Sequence, residues 1–129
     1  MSTLKANTLT GTTSAGSILV TGEGGSTTTN LQQGLAKAWN NVTQGTSAIQ
    51  DSFNISSISD DSTGTYTQNY TNNMNNDLVS AVMGCENAGN MGTTGTFGSS
   101  STKFTTVLTT NASANDYNDA CNAIHGDLA

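Results

Sequence analysis

The clearest alternation of apolar and polar residues in this chain lies between residues 52 and 74. The apolar members are Phe53, Ile55 and Ile58 on a first arm, and Tyr66 and Tyr70 on a second arm. A two-residue period of this kind is typical of half-buried β-strands. Between the arms, residues 60–64 supply short side chains that hydrogen-bond their own backbone and a glycine that accepts positive φ. The stretch therefore predicts a β-hairpin.

Strand-like patterns also occupy most of the chain after residue 34. They cover residues 34–42, 46–59, 65–70, 78–85, 103–110 and 117–125. The run 78–85 has apolar residues on both faces, which predicts a central strand covered on both sides by a second sheet or a neighbouring subunit. No segment has the period of a convincing amphipathic helix. We expect an all-β fold, a small antiparallel β-sandwich or compact barrel of six or seven strands.

Residues 1–33 differ from the rest because their few apolar residues are scattered among Thr, Ser and Gly. Such a segment buries too little apolar surface to offset the entropy lost on ordering it. We therefore expect an extended N-terminal arm over residues 1–33, followed by a β-sandwich domain over residues 34–129. Within the arm, Ile18, Leu19 and Val20 are candidates to pair as a short strand with another chain, or to remain in an unstructured tail.

The glycine-rich stretch 84–101 predicts a long loop, because it shows no strand or turn period. It lacks the glycine and lysine spacing of a phosphate-binding loop. It is either a plain surface loop or a contact surface, in which Met91 and Phe97 would reach a partner. The only tryptophan, Trp39, is expected in the core or at a subunit interface, with stacking on a carbohydrate as the alternative.

Composition excludes several classes of partner. The 129 residues include 9% charged residues and three Lys or Arg, with a net charge of −6. So few cations cannot neutralise the phosphates of a nucleic acid or bind an anionic membrane surface. No apolar run approaches the roughly 18 residues that span a bilayer, and no secretory signal pattern is expected at the N-terminus.

The residues capable of chemistry do not form a recognisable site. Cys85 and Cys121 could form a disulfide if their strands are neighbours or face each other across a sandwich, or they could be two buried thiols. His125 and Cys121 are four residues apart on one strand, about 13 Å, which is too far to share a metal ion. No nucleophile elbow occurs, and Asp60 and Asp61 fit a turn better than an acid and base pair. We expect no catalytic residue, no cofactor and no metal.

Several motifs resemble a family of small tail-fibre-like structural proteins of marine tailed bacteriophages. The similar segments are the opening residues 1–5, the A-K-A-W at 36–39, the run 51–60, the return strand 64–70 and the closing residues 123–127. Two departures from the family pattern are Gln68, where an apolar residue is usual, and the Asn40-Asn41-Val42 continuation after Trp39.

The resemblance implies a non-enzymatic virion protein that is assembled in the host cytoplasm. Its N-terminal arm would dock on other virion proteins, its β domain would project toward the host surface and a host glycan, and it would form a homo-oligomer, with a trimer preferred. Three alternatives remain open from sequence: a capsid decoration protein or head fibre, a glycan-binding or depolymerising module, and a disordered linker.

Overall fold

The computed structural model describes residues 3–12, 18–22, 24–86, 90–108 and 111–129, with the side chains of residues 33 and 90–94 left out. Its strands are β1 (Leu19–Thr21), β2 (Thr28–Asn30), β3 (Ala38–Thr43), β4 (Ala48–Phe53), β5 (Ile55–Ser62), β6 (Thr65–Tyr70), β7 (Ser80–Cys85), β8 (Asn90–Phe97), β9 (Ser101–Leu108) and β10 (Ala120–His125). One short helix, α1 (Leu31–Gly34), and a single 3₁₀ turn (Gln44–Thr46) complete these elements. The chain divides into an N-terminal unit, Met1–Leu35, and a sandwich unit, Ala36–Ala129.

The sandwich unit consists of two four-stranded antiparallel sheets. The first sheet has the order β4-β3-β10-β7 and the second has the order β5-β6-β9-β8. The inward residues of both sheets share one apolar core, which includes Val42 and Ile124 from the first sheet and Tyr66 and Phe104 from the second. The rings of Tyr66 and Phe104 stack with centroids 5.7 Å apart. The predicted all-β sandwich class is confirmed.

Buried amides share this core with the apolar residues. Asn40 and Asn122 of the first sheet and Gln68 of the second are all buried. The Gln68 carbonyl oxygen accepts hydrogen bonds from the Asn40 amide (2.8 Å) and the Asn122 amide (3.0 Å). The Asn122 amide also donates to the Asn40 carbonyl oxygen and to the Tyr66 hydroxyl. These contacts give the Gln68 carbonyl oxygen two partners, which lowers the cost of placing this amide at an inward position.

Two backbone reversals position the second sheet. At Asn54 the chain takes φ +59° and passes from β4 in the first sheet to β5 in the second. The Asn54 amide donates to the carbonyls of Lys37 and Asn72, and its side-chain oxygen accepts from the Asn72 backbone N–H. β5 and β6 then form the predicted hairpin, which closes at Thr63 and at Gly64 with φ +71°.

Three details of the predicted fold are wrong. The stretch 46–59, expected as one strand, divides at Asn54 into β4 and β5. The alternation of apolar and polar residues does not show where a chain passes from one sheet to another. Within the expected loop 84–101, residues 90–97 form β8, which pairs with β9, the next strand along the chain, in a hairpin that its glycine-rich sequence does not signal. β7 is an edge strand of the first sheet, not a central one, and its Val82 side chain is 68% exposed. The sandwich unit consequently has eight strands instead of six or seven.

The N-terminal unit contains a small hairpin. β1 pairs antiparallel with β2, with Leu19 opposite Asn30 and Thr21 opposite Thr28. The strand expected at Ile18–Val20 therefore begins one residue later and pairs within its own chain. The Asn30 side-chain oxygen accepts a hydrogen bond from the Gln32 backbone N–H, which satisfies a free donor at the start of α1.

Candidate binding surface on the outer face of the first sheet

The outer face of the first sheet carries a row of apolar residues that crosses all four strands. Strand register places Phe53, Trp39, Ala123 and Val82 side by side. These four residues define the apolar row. Directly paired residues of neighbouring strands project to the same face, and this face is opposite the one that carries Asn40 and Asn122. Trp39 is 36% exposed, so it does not lie in the core, and the expected subunit interface stays a prediction.

A shallow trough of about 450 Å³ lies on this face, and we call it the Trp39 trough. Trp39 and Val82 stand on opposite sides of it, because they belong to β3 and β7 while β10 lies between them. The floor is low because Ala123 and Gly84 have small or no side chains there. A Cβ atom at Gly84 would come within 3.3 Å of the Cys121 sulfur, so glycine leaves room for that exposed thiol.

The neighbouring row is polar and acidic. It contains Asp51, Asn41, Cys121 and Gly84, one on each strand. The Asn41 amide donates to a carboxylate oxygen of Asp119 at 3.2 Å. Asp51 accepts from the Ser52 backbone N–H, and both carboxylates are on exposed residues. The trough therefore has an aromatic wall, and Asn41, which also lines it, is hydrogen-bonded to the Asp119 carboxylate beside the trough.

The two cysteines are free thiols on adjacent strands. Cys85 pairs with the buried Ala120 and faces the core, whereas Cys121 pairs with Gly84 and faces outward. Because consecutive residues of a strand project to opposite faces, the candidate disulfide is absent from this structure. Burial raises the pKa of the Cys85 thiol.

The residues proposed to reach a partner lie in separate parts of the chain. Leu19 and Val20 are exposed on β1, and Ile18 is half-buried beside them. In the N-terminal unit, Ile18 also lines a groove of about 420 Å³ with Leu9, Leu31 and Leu35. Phe97 is half-buried at the end of β8, opposite Thr102. Met91 lies in β8, but its side chain is outside the described residues.

Sequence reasoning missed most of this surface. Trp39 was singled out, but Val82, Ala123, Gly84 and Cys121 were not connected with it. A local pattern contains no information on which strands become neighbours, and the register of β3, β10 and β7 creates the trough. The nearest signal was the apolar residues on both faces of 78–85, which place Val82 on the face opposite Ala81 and Met83 but do not show which face is outward.

Among the described residues, no group of three or more His, Cys, Asp or Glu side chains is arranged to hold a metal ion. None of the helices in the described part of the chain is long and apolar enough to cross a membrane. Comparison of the chain with protein-family models, with curated proteins and with solved structures gives no match.

Proposed function

We propose that this protein is a non-enzymatic structural component of a bacteriophage virion, a tail fibre or similar appendage. In this proposal the N-terminal unit docks on other virion proteins and the sandwich unit faces the host surface. The motif resemblance at residues 36–39, 51–60 and 64–70 supports the class of protein. The same resemblance is the basis for proposing a trimeric assembly.

The exposed apolar side chains of the N-terminal unit are the observation that carries the docking role. Large apolar residues that share this property are Leu4, Leu9, Leu19, Val20 and Leu35. A unit of about 35 residues that exposes so many of them has little core of its own. Apolar surface of this kind is characteristic of a protein–protein contact. A particle protein that covers these side chains would stabilise both partners.

The composition of the chain supports a binding role over a catalytic one. Charged residues make up 9% of the chain, and short polar side chains dominate the remainder. The Trp39 trough has an aromatic wall, but the described residues around it include no arrangement of a nucleophile with a base. Recognition of a neutral surface is the activity that such a face can support.

The experiment that tests the proposal is to locate the protein on purified particles by averaged electron microscopy. Density for the chain on a tail or tail-associated structure is expected. Density on the capsid shell would favour the alternative of a decoration protein or head fibre, and particles that lack the chain would refute a virion role.

Single substitutions test the docking unit. Leu19→Asp places a carboxylate on the exposed face of β1 and should reduce incorporation into particles, measured by quantitative mass spectrometry. Leu78→Asp is the matched control, because Leu78 is 82% exposed on the sandwich unit. Equal incorporation of both variants would contradict docking through β1.

A further inference from the structure

We propose that the Trp39 trough binds a neutral saccharide, with a sugar ring against Trp39 and hydroxyl groups directed toward Asn41 and the carboxylates beside it. The inference rests on the proposed function, since it names the class of host-surface molecule that the sandwich unit would meet.

The dimensions of the trough suit one or two sugar rings. Adjacent strands are about 4.8 Å apart, so Trp39 and Val82, two strands apart, are separated by about 10 Å. Between them Ala123 leaves the floor low, and the volume of about 450 Å³ falls in the range of small-ligand sites. An indole ring offers a large rigid apolar surface, which suits the C–H face of a pyranose.

The polar end of the trough selects ligands that donate hydrogen bonds. Residues two apart on a strand are separated by about 6.8 Å, so a sugar ring that stacks on Trp39 can place a hydroxyl group close to Asn41. When ionised, the Asp51 and Asp119 carboxylates near Asn41 can accept hydrogen bonds but cannot donate them. Hydroxyl groups can donate to them, whereas an anionic ligand would be repelled by two negative charges and a net charge of −6.

A second copy of this chain fits the face less well. The four strands have six residues each, and half of these, about twelve, face outward. A stable interface uses about 20–30 residues from each partner. Face-to-face packing would also bring Asp51 and Asp119 of both copies toward one another. The size of the face and the charge therefore favour a small neutral ligand.

The full-length protein provides two reporters for the test, emission from Trp39 and the alkylation rate of the exposed Cys121 thiol. The probes are neutral trisaccharides of glucose, galactose and N-acetylglucosamine, with a uronic acid trisaccharide and choline as contrasting ligands. At about 10 mM, tenfold above a Kd of about 1 mM, at least one neutral probe should shift the emission and slow alkylation of Cys121. Binding of the acidic probe should be at least about tenfold weaker.

Substitutions then place the binding. Ala123→Leu fills the floor of the trough and should abolish protection of Cys121, and Trp39→Ala should weaken it at least about tenfold. Leu78→Ala, an exposed position that does not line the trough, should bind as the unchanged protein does. Thermal unfolding of each variant checks that it is folded. If Trp39→Ala does not fold, the result for Ala123→Leu alone decides the test.

Three results would overturn the inference. The first is that no neutral probe changes the emission or the alkylation rate. The second is that choline or the acidic probe binds as tightly as the best neutral probe. The third is that a neutral probe still protects Cys121 from alkylation in folded Ala123→Leu. None of these results bears on where the chain sits in a particle, because imaging decides that separately.

Discussion

Replacement of Gly64 by alanine, which adds one methyl group, should strongly destabilise the sandwich unit. Gly64 closes the β5–β6 hairpin with φ +71°, a conformation that costs an L-residue about 1–2 kcal/mol. A Cβ atom there would lie 2.6 Å from the backbone nitrogen of Asn115 and 2.6 Å from the carbonyl oxygen of Thr106. Both are backbone atoms, so neither can turn aside as a flexible side chain would.

The magnitude follows from what must move. The Thr106 N–H donates to the Gly64 carbonyl at 2.7 Å, and the Asn115 N–H donates to the Thr106 carbonyl at 3.2 Å. Overpacking costs about 1–3 kcal/mol, and each weakened hydrogen bond costs about 1 kcal/mol. Alanine also restricts the unfolded chain more than glycine does, and this loss of entropy offsets about 0.4–1 kcal/mol of the destabilisation. Together with the conformational cost of about 1–2 kcal/mol, the expected loss is about 3–7 kcal/mol, a large share of the roughly 5–15 kcal/mol that stabilises a small domain.

The measurement is equilibrium unfolding in urea, followed by the emission of Trp39, which lies in β3 of the same unit. Gly95→Ala is the matched control. A Cβ atom at Gly95 meets Lys103 atoms at 3.4 Å and beyond, so the free energy of unfolding should change by less than about 1 kcal/mol.

A second variant separates the two causes at Gly64. Asparagine tolerates positive φ, so Gly64→Asn removes most of the conformational cost but keeps the steric one. It should therefore be nearly as unstable as Gly64→Ala. A stable Gly64→Asn would show that backbone conformation alone requires glycine. An unfolding free energy of Gly64→Ala within 1 kcal/mol of the unchanged protein would refute the reasoning altogether.

Three further predictions concern the core and the thiols. Asn122→Ala removes one buried amide that donates to three acceptors and should lower the free energy of unfolding by about 2–4 kcal/mol in the same urea assay. Burial raises the pKa of the Tyr66 and Tyr70 hydroxyls, so the stability that their neutral forms contribute is present below pH 10 and is lost as pH rises above it. Tyr66 should contribute a slope of up to about 1.4 kcal/mol per pH unit, which Tyr66→Phe removes in unfolding measured from pH 9 to 11. In the native protein, iodoacetamide should modify Cys121 before Cys85, as resolved by peptide mass spectrometry.

Each of these predictions has a control or a contrary outcome. For Asn122, the exposed Asn118→Ala should change stability by less than about 0.5 kcal/mol. An alkaline slope that is the same with and without the Tyr66 hydroxyl would mean that its burial does not resist ionisation. Equal modification rates for the two thiols would contradict the assignment of Cys85 to the inner face and Cys121 to the outer face.

The hairpin shows what local pattern can predict. In β6, Tyr66 and Tyr70 are buried and Thr67 is half-buried, as their two-residue period indicates. The strand is recognisable because each residue's face depends only on its own position in the pleat. Gly64 was recognisable as a turn residue for the same local reason. The two backbone atoms that exclude any larger residue there come from residues 106 and 115, which no local pattern connects with it.

β3 shows where local pattern stops. Its sequence offers two faces, one with Ala38, Asn40 and Val42 and one that includes Trp39 and Asn41. Hydrophobicity of the largest side chain favours burial of Trp39, yet the structure buries the other face. One contribution is that Asn40 in the core donates to the Gln68 carbonyl oxygen and accepts from the Asn122 amide, contacts that burial of the indole instead would remove.

The sequence alone therefore determined the all-β class, the β5–β6 hairpin and the low content of charged residues, because alternation and composition are local properties. Tertiary structure decided which face of β3 is buried and that Trp39, Ala123 and Val82 share a trough. Each of these depends on partners far away in the chain, whose hydrogen bonds and packing outweigh the preference of any single segment.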